Sequence, residues 1–177
     1  MSNAVAKRYA RALFQAGVEN DAVDELYDEL HDFQKLLKEQ GYLRAYFITP
    51  EIDRENKIEK MNQLFSEKVH PLFLNFIKVL IYKNRHRFYN DMVQQFETFY
   101  DQEKNRIKAS VTTAVPLNDE LKAKIKSILS ETLSADIILE EKVDTDILGG
   151  LIVETQGKVL DNSVRRKLNA IYEKVKQ

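Results

Sequence analysis

Hydrophobic positions along the chain follow two regimes that meet near residue 106. Up to Asn105 the apolar residues recur every three or four positions, the period of one helix face. Ala6, Ala10, Leu13 and Gly17 share one face of a first helix, and Val23, Leu26, Tyr27, Leu30, Phe33 and Leu37 stripe a second, which Gly41 is expected to end. Thr49-Pro50 breaks the chain, and Ile58, Met61, Leu64 and Phe65 form the next stripe. Pro71 suits a helix first turn and opens the very apolar run LFLNFIKVLIY. Tyr89, Met92, Val93, Phe96 and Tyr100 mark a last long helix. This half reads as an all-α helical bundle.

Beyond residue 106 the period shortens. Ile107, Ala109, Val111, Thr113 and Val115 alternate with Lys108, Ser110, Thr112 and Ala114, which predicts a half-buried strand ended by Pro116. Asn118 can cap a helix with Leu121, Ile125, Ile128 and Leu129 on its inner face, and Asp136–Val143 reads as a second strand. A double glycine, Gly149-Gly150, makes a bend before two short strands, Leu151–Thr155 and Lys158–Leu160, joined by Gln156-Gly157 as a tight hairpin turn. Asp161 is then positioned to cap a final helix striped by Val164, Leu168, Ile171, Tyr172 and Val175. The expected fold class is therefore mixed, a bundle over 1–105 followed by a small α/β domain over 106–177. Asp101–Lys108 would be the linker, as a hinge or as continuous helix.

Composition excludes more than it selects. Lys and Arg total 27 against 28 Asp and Glu, a net charge of −1, so no global field favours nucleic acid or an anionic membrane. With 44% apolar and 31% charged residues and no cysteine, the chain has an ordinary globular make-up and no disulfide or thiolate metal site. No apolar run approaches the ~20 residues that span a bilayer. AVAKRYARAL mixes charge with small residues and resembles neither a signal-peptide core nor a transit peptide.

Catalytic and cofactor motifs are missing as well. Gly150 leads into a strand and Gly157-Lys158 into another, so no glycine opens a phosphate-cradling loop before a helix. His31, His70 and His86 are scattered without a second ligand at metal spacing, and no GxSxG elbow exists. The acidic pairs Asp28-Glu29 and Glu140-Glu141 read as solvated faces. The expectation is no enzyme, no catalytic residue, no metal and no cofactor. The basic run Lys83–Arg87, with Arg165-Arg166-Lys167 and Lys7-Arg8-Arg11, supports one alternative, an RNA-binding module; a small enzyme with an unrecognised site is another.

Two helices carry more apolar surface than a bundle consumes. On the first, Ala6, Ala10, Leu13, Phe14 and Gly17 share one face and Val5, Tyr9, Ala12 and Ala16 the adjacent one, an arc of roughly 200° against the usual ~100° stripe. Within Leu72–Tyr82 the Phe73, Phe76, Ile77, Leu80 face is flanked by Leu72 and Val79 on one side and by Leu74 and Ile81 on the other. Such a helix is either buried in the bundle or partly covered by another protein.

The segment DTDILGGLIVETQGKVLDNSVRRK, together with AVAKRYARALFQAGVE at the start, closely resembles the delta subunit family of F-type ATP synthases, which includes the mitochondrial oligomycin-sensitivity-conferring protein. The resemblance covers essentially the whole chain and implies a non-catalytic stator adaptor of the peripheral stalk. It implies that the helical domain binds the N-terminal helix of a catalytic-head alpha subunit between its first and fifth helices. YARALF and FIKVLIYKNR match those helices, which carries the site onto Tyr9, Ala12, Ala16, Val79 and Lys83. It also implies that the C-terminal domain contacts the b-subunit stalk, with no residues assigned. Gly149, Gly150, Gly157 and Asp161 belong to the signature as turn and cap positions. The implied place is the cytoplasmic face of a bacterial cell membrane, peripheral and without insertion; a chloroplast or mitochondrial homologue shorn of its transit peptide would look the same.

Overall fold

The computed structural model describes residues 2–49 and 52–175; Pro50 and the side chain of Val175 lie outside what is described. Two compact units divide the chain, Met1–Tyr100 and Asp101–Gln177. The first contains α1 (Ser2–Glu19), α2 (Val23–Glu39), α3 (Gly41–Ile48), α4 (Arg54–Phe65), α5 (Pro71–Tyr82) and most of α6 (Tyr89–Glu103).

The helical periodicities of the sequence become the core of this unit. Ala6, Ala10 and Leu13 on α1, Leu26, Leu30, Phe33 and Leu37 on α2, and Met92, Val93 and Phe96 on α6 are all buried. Phe33 sits at the centre, its ring meeting those of Phe47, Phe65, Phe73 and Tyr89 edge-on at centroid distances of 5.5, 5.6, 5.7 and 5.3 Å. Edge-to-face geometry suits the ring quadrupoles and adds to the gain from burial. Tyr89 keeps its hydroxyl satisfied inside this cluster by donating to the Leu30 carbonyl at 2.8 Å.

One boundary differs from the sequence reading. Gly41 does not close α2 in a left-handed cap; α2 ends at Glu39, and Gly41 begins the short helix α3. The eight residues GYLRAYFI have almost no helical apolar period of their own, so only packing reveals them as a helix. Two buried basic groups hold the far end of α3. Lys57 Nζ donates to the carbonyls of Phe47 and Thr49, and His86 Nε2 bonds the Ile48 carbonyl at 3.4 Å.

In the second unit the described residues form a four-stranded sheet of order β2-β1-β3-β4: β1 (Arg106–Thr113), β2 (Asp136–Val143), β3 (Leu151–Thr155) and β4 (Lys158–Asp161). β1 and β2 run parallel, with α7 (Asp119–Leu133) as the crossover, and the other pairings are antiparallel. Alternation in β1 survives as burial of Ala109, Val111 and Thr113 on one face, with Val153 opposite Val111. Together these make the mixed fold that the sequence predicts. The expected linker is mostly structured: Asp101–Glu103 belong to α6 and residues 106–108 to β1, so Lys104 and Asn105 alone make the turn.

Gln156 and Gly157 both have positive φ, 49° and 74°, as the mirror-image turn of a two-residue hairpin requires. Asp161 does not cap the last helix, α8 (Val164–Val175). It ends β4 and accepts the Ser163 amide at 2.9 Å, and Ser163 Oγ then accepts the Arg166 amide at 3.1 Å, the bond expected of an N-cap. The inner face assigned to α7 is also corrected: Leu121 and Ile128 are exposed, and only Ile125 and Leu129 of that set are half-buried.

Candidate partner-binding surfaces

On the helical unit, α1 packs against α5. Heptad-like placement sends Ala6, Ala10 and Leu13 inward and leaves Tyr9 and Ala16 half-buried on the flank and Ala12 exposed. Tyr9 leans on the core, with the Arg8 guanidinium 5.7 Å from its ring centroid. On α5 the side bearing Leu74 and Ile81 is closed by the bundle, whereas Val79 on the other side stays 45% exposed. Lys83 follows Val79 by one turn and caps α5, its ammonium 5.3 Å from the centroid of the exposed Tyr82 ring. Neighbouring helices therefore present all five expected residues. Ala12 separately lines a shallow concavity of ≈ 460 Å³ whose other walls are α1's own Ala4, Lys7, Arg8, Arg11 and Gln15. Around Ala12 the lining is therefore small and basic, while the large apolar side chain left exposed among the five is Val79 on α5.

The basic run Lys83–Arg87 is not a uniformly exposed patch. Lys83 is a helix cap, His86 turns into the core, and Arg87 lies over Phe88 with its guanidinium carbon 4.9 Å from the ring centroid. Burial, together with the nearby Lys57 and Arg87 charges, holds the His86 imidazole below its ordinary pKa of 6.5, so the ring is a neutral structural group. The RNA-binding reading is left without support.

On the second unit the exposed apolar side chains concentrate on α8 and β4. Val164, Leu168, Ile171 and Tyr172 are 39, 51, 59 and 58% exposed, and Val159 and Leu160 on β4 are 62 and 64% exposed. The α8 helix meets its own unit chiefly at the turn 145–147, so the apolar stripe the sequence shows is directed outward. Sequence periodicity identifies the stripe but cannot say which way it faces.

Several polar roles were not visible in the sequence. Glu29 is half-buried and accepts the His70 amide, while His70 Nδ1 accepts the Leu72 amide at 3.2 Å as the α5 N-cap. Desolvation raises the Glu29 pKa above that of an ordinary carboxylate. Glu141, the second acid of Glu140-Glu141, bonds the Leu117 amide and pairs with Lys122 at 2.8 Å. Lys57 precedes Met61 by four residues and so shares its buried face, the one signal that could have placed it. Among the described residues no cluster of three or more His, Cys, Asp or Glu could hold a metal ion.

The family model for the ATP synthase delta (OSCP) subunit matches residues 5–175. This chain belongs to that family. It is 29% identical over 177 residues to an "ATP synthase subunit delta" from Alkaliphilus metalliredigens, covering 100% of this chain and 98% of that one. It is 33% identical over 165 residues to the protein of that name from Clostridium botulinum, covering 93% and 92%. A chain in the cryo-EM structure of the Toxoplasma gondii mitochondrial ATP synthase hexamer shares the fold, with a TM-score of 0.68 at 21% identity and 97% of both chains covered. As a delta-family member the chain is a structural, non-catalytic subunit of the ATP synthase peripheral stalk. No described helix is long and apolar enough to cross a membrane.

Proposed function

We propose that the two units of this delta-family subunit grip different parts of the ATP synthase. The helical unit holds the amphipathic N-terminal helix of a catalytic-head alpha subunit against α1 and α5, through Tyr9, Ala12, Ala16, Val79 and Lys83. The α/β unit holds the end of the membrane-anchored b-subunit stalk against α8 and β4. A head tied to the stator in this way cannot follow the central stalk, so rotation is spent on the catalytic sites. The subunit then lies peripherally at the membrane face, held there only by its partners.

Apolar surface left open on both units carries this reading: Val79 on α5, and the outward stripe of α8. A coupler under torque needs slow dissociation, which buried apolar anchors supply and rim charges do not. Calorimetric titration of the full chain with a peptide of the cognate alpha-subunit N-terminal helix tests the first contact. The expected result is one-to-one binding that Val79→Asp weakens by about tenfold or more, because a carboxylate is forced into the apolar contact. Since Val79 is nearly half exposed, the variant should stay folded. Binding that is indifferent to Val79→Asp would move the alpha-subunit contact to another face.

A further inference from the structure

A separate feature of the helical unit lies away from α1 and is absent from the sequence patterns above. The end of α2, the short α3 and the outer side of α4 enclose a cavity of ≈ 410 Å³, within the ~300–1,000 Å³ typical of small-molecule sites. Its inner wall is Leu36, Leu43 and Phe65, each packed from behind against the bundle core. Tyr42, 83% exposed, and Leu64, 36% exposed, also line it. Apolar side chains open to solvent around a concavity are the unusual observation, since a monomer gains nothing from them.

Charge narrows what fits. The two charged side chains on the lining are both lysines, Lys60 and Lys68, and neither pairs with a carboxylate among the described residues. An apolar interior with a cationic border complements a ligand that has an apolar body and one anionic end.

Two of the lining elements are also tied together. Tyr46, another lining residue, donates its hydroxyl to the Asn56 carbonyl at 3.3 Å, joining α3 to α4. Lys57 Nζ fastens the end of α3 through the Phe47 carbonyl at 3.2 Å. Both bonds fix α3 against α4, two of the elements that line the cavity, and a pre-ordered wall lowers the cost of binding.

We infer that this cavity between α2, α3 and α4 binds a small amphiphilic anion, with an alkyl chain against Leu36, Leu43, Leu64 and Phe65 and a carboxylate between Lys60 and Lys68. A pit of this size suits an alkyl chain, whereas a helix is ~10–12 Å across and needs an open-ended groove. The ligand bridges α3 and α4 and therefore stabilises the helical unit by mass action.

The test is calorimetry and thermal unfolding of the full chain with dodecanoate, kept below micelle formation. Saturable one-to-one binding and a rise in Tm with dodecanoate concentration are expected. Leu64→Glu should weaken binding by about tenfold or more. The double change Lys60→Glu with Lys68→Glu should shift the preference from dodecanoate to dodecyltrimethylammonium. Tyr42→Ala, at a highly exposed position where folding is not at stake, should also lower the affinity. Non-saturable uptake, equal affinity for the two amphiphiles in the unmodified protein, or no effect of Leu64→Glu and Tyr42→Ala would overturn the inference. If dodecanoate fails but an acidic amphipathic peptide binds and is lost in Leu64→Glu, the cavity serves a protein partner and the small-ligand assignment is wrong.

Discussion

His86 and Lys57 sit together at the end of α3, and each has a pKa lowered first of all by burial. For His86 the sign is definite. The folded ring holds its proton less well than the unfolded one, whose pKa is near the ordinary 6.5. As the pH falls through that value the unfolded state binds more protons, so stability is lost progressively until the lowered folded pKa is passed. Glu29 works in the opposite sense. Its raised folded pKa makes the folded state take up a proton first, and acidification through the window above 4.5 adds stability. His86→Gln, which keeps a donor for the Ile48 carbonyl, should therefore lose part of the fall in Tm that the unmodified protein shows between about pH 7 and about pH 5. Superimposable pH profiles would mean that His86 is not protonated differently on folding. In the sequence His86 is one of five residues in a basic run, and its neighbours argue for the surface. Burial by Phe47, whose ring lies 5.4 Å away, is a tertiary fact.

The loop–hairpin–helix element shows how far local chemistry can be read. The limits of β3 and the turn at Gln156-Gly157 follow from residue type, because few residues accept two successive positive φ angles. Strand β4 runs one residue past the expected Leu160, to Asp161. The reasons for the glycines differ, however. At Gly157 (φ 74°) an added Cβ would meet nothing within 4 Å, whereas at Gly150 (φ 75°) it would come within 2.4 Å of the Asn162 carbonyl oxygen. Gly157→Ala should cost about 1 kcal/mol of backbone strain. Gly150→Ala should cost about 2–4 kcal/mol, because the loop and the start of α8 must also part. Urea unfolding of the two variants measures this, and equal losses would show that the Asn162 approach imposes no constraint. The misassigned cap has the same origin. Asp161 and Ser163 are both good capping residues, and which one sits at the helix start depends on where pairing of β4 with β3 ends.

For the whole molecule, the outward stripe on α8 has the largest consequence. A helix of 12 residues is marginal in water and is normally held by burying its apolar face, yet here that face remains open. Leu168→Glu with Ile171→Glu should leave the urea midpoint of the free chain nearly unchanged, since exposed substitutions typically shift stability by less than about 0.5 kcal/mol. Capture of the soluble b-subunit segment by the immobilised chain should be abolished by the same pair. A large loss of stability would instead make the stripe part of the unit's own core, and unchanged capture would place the stalk elsewhere. The sequence by itself determined the helices with strong periodicity, the strands, the hairpin and, through the signature segments, the family. Those depend on residue type and spacing, which local sterics and amphipathicity translate directly. Only the tertiary structure decided that GYLRAYFI is a helix, that His86 and Lys57 are buried, that Ser163 holds the cap and that the α8 stripe faces out. Each depends on what packs against the residue, and a periodic pattern marks an apolar face without naming its neighbour.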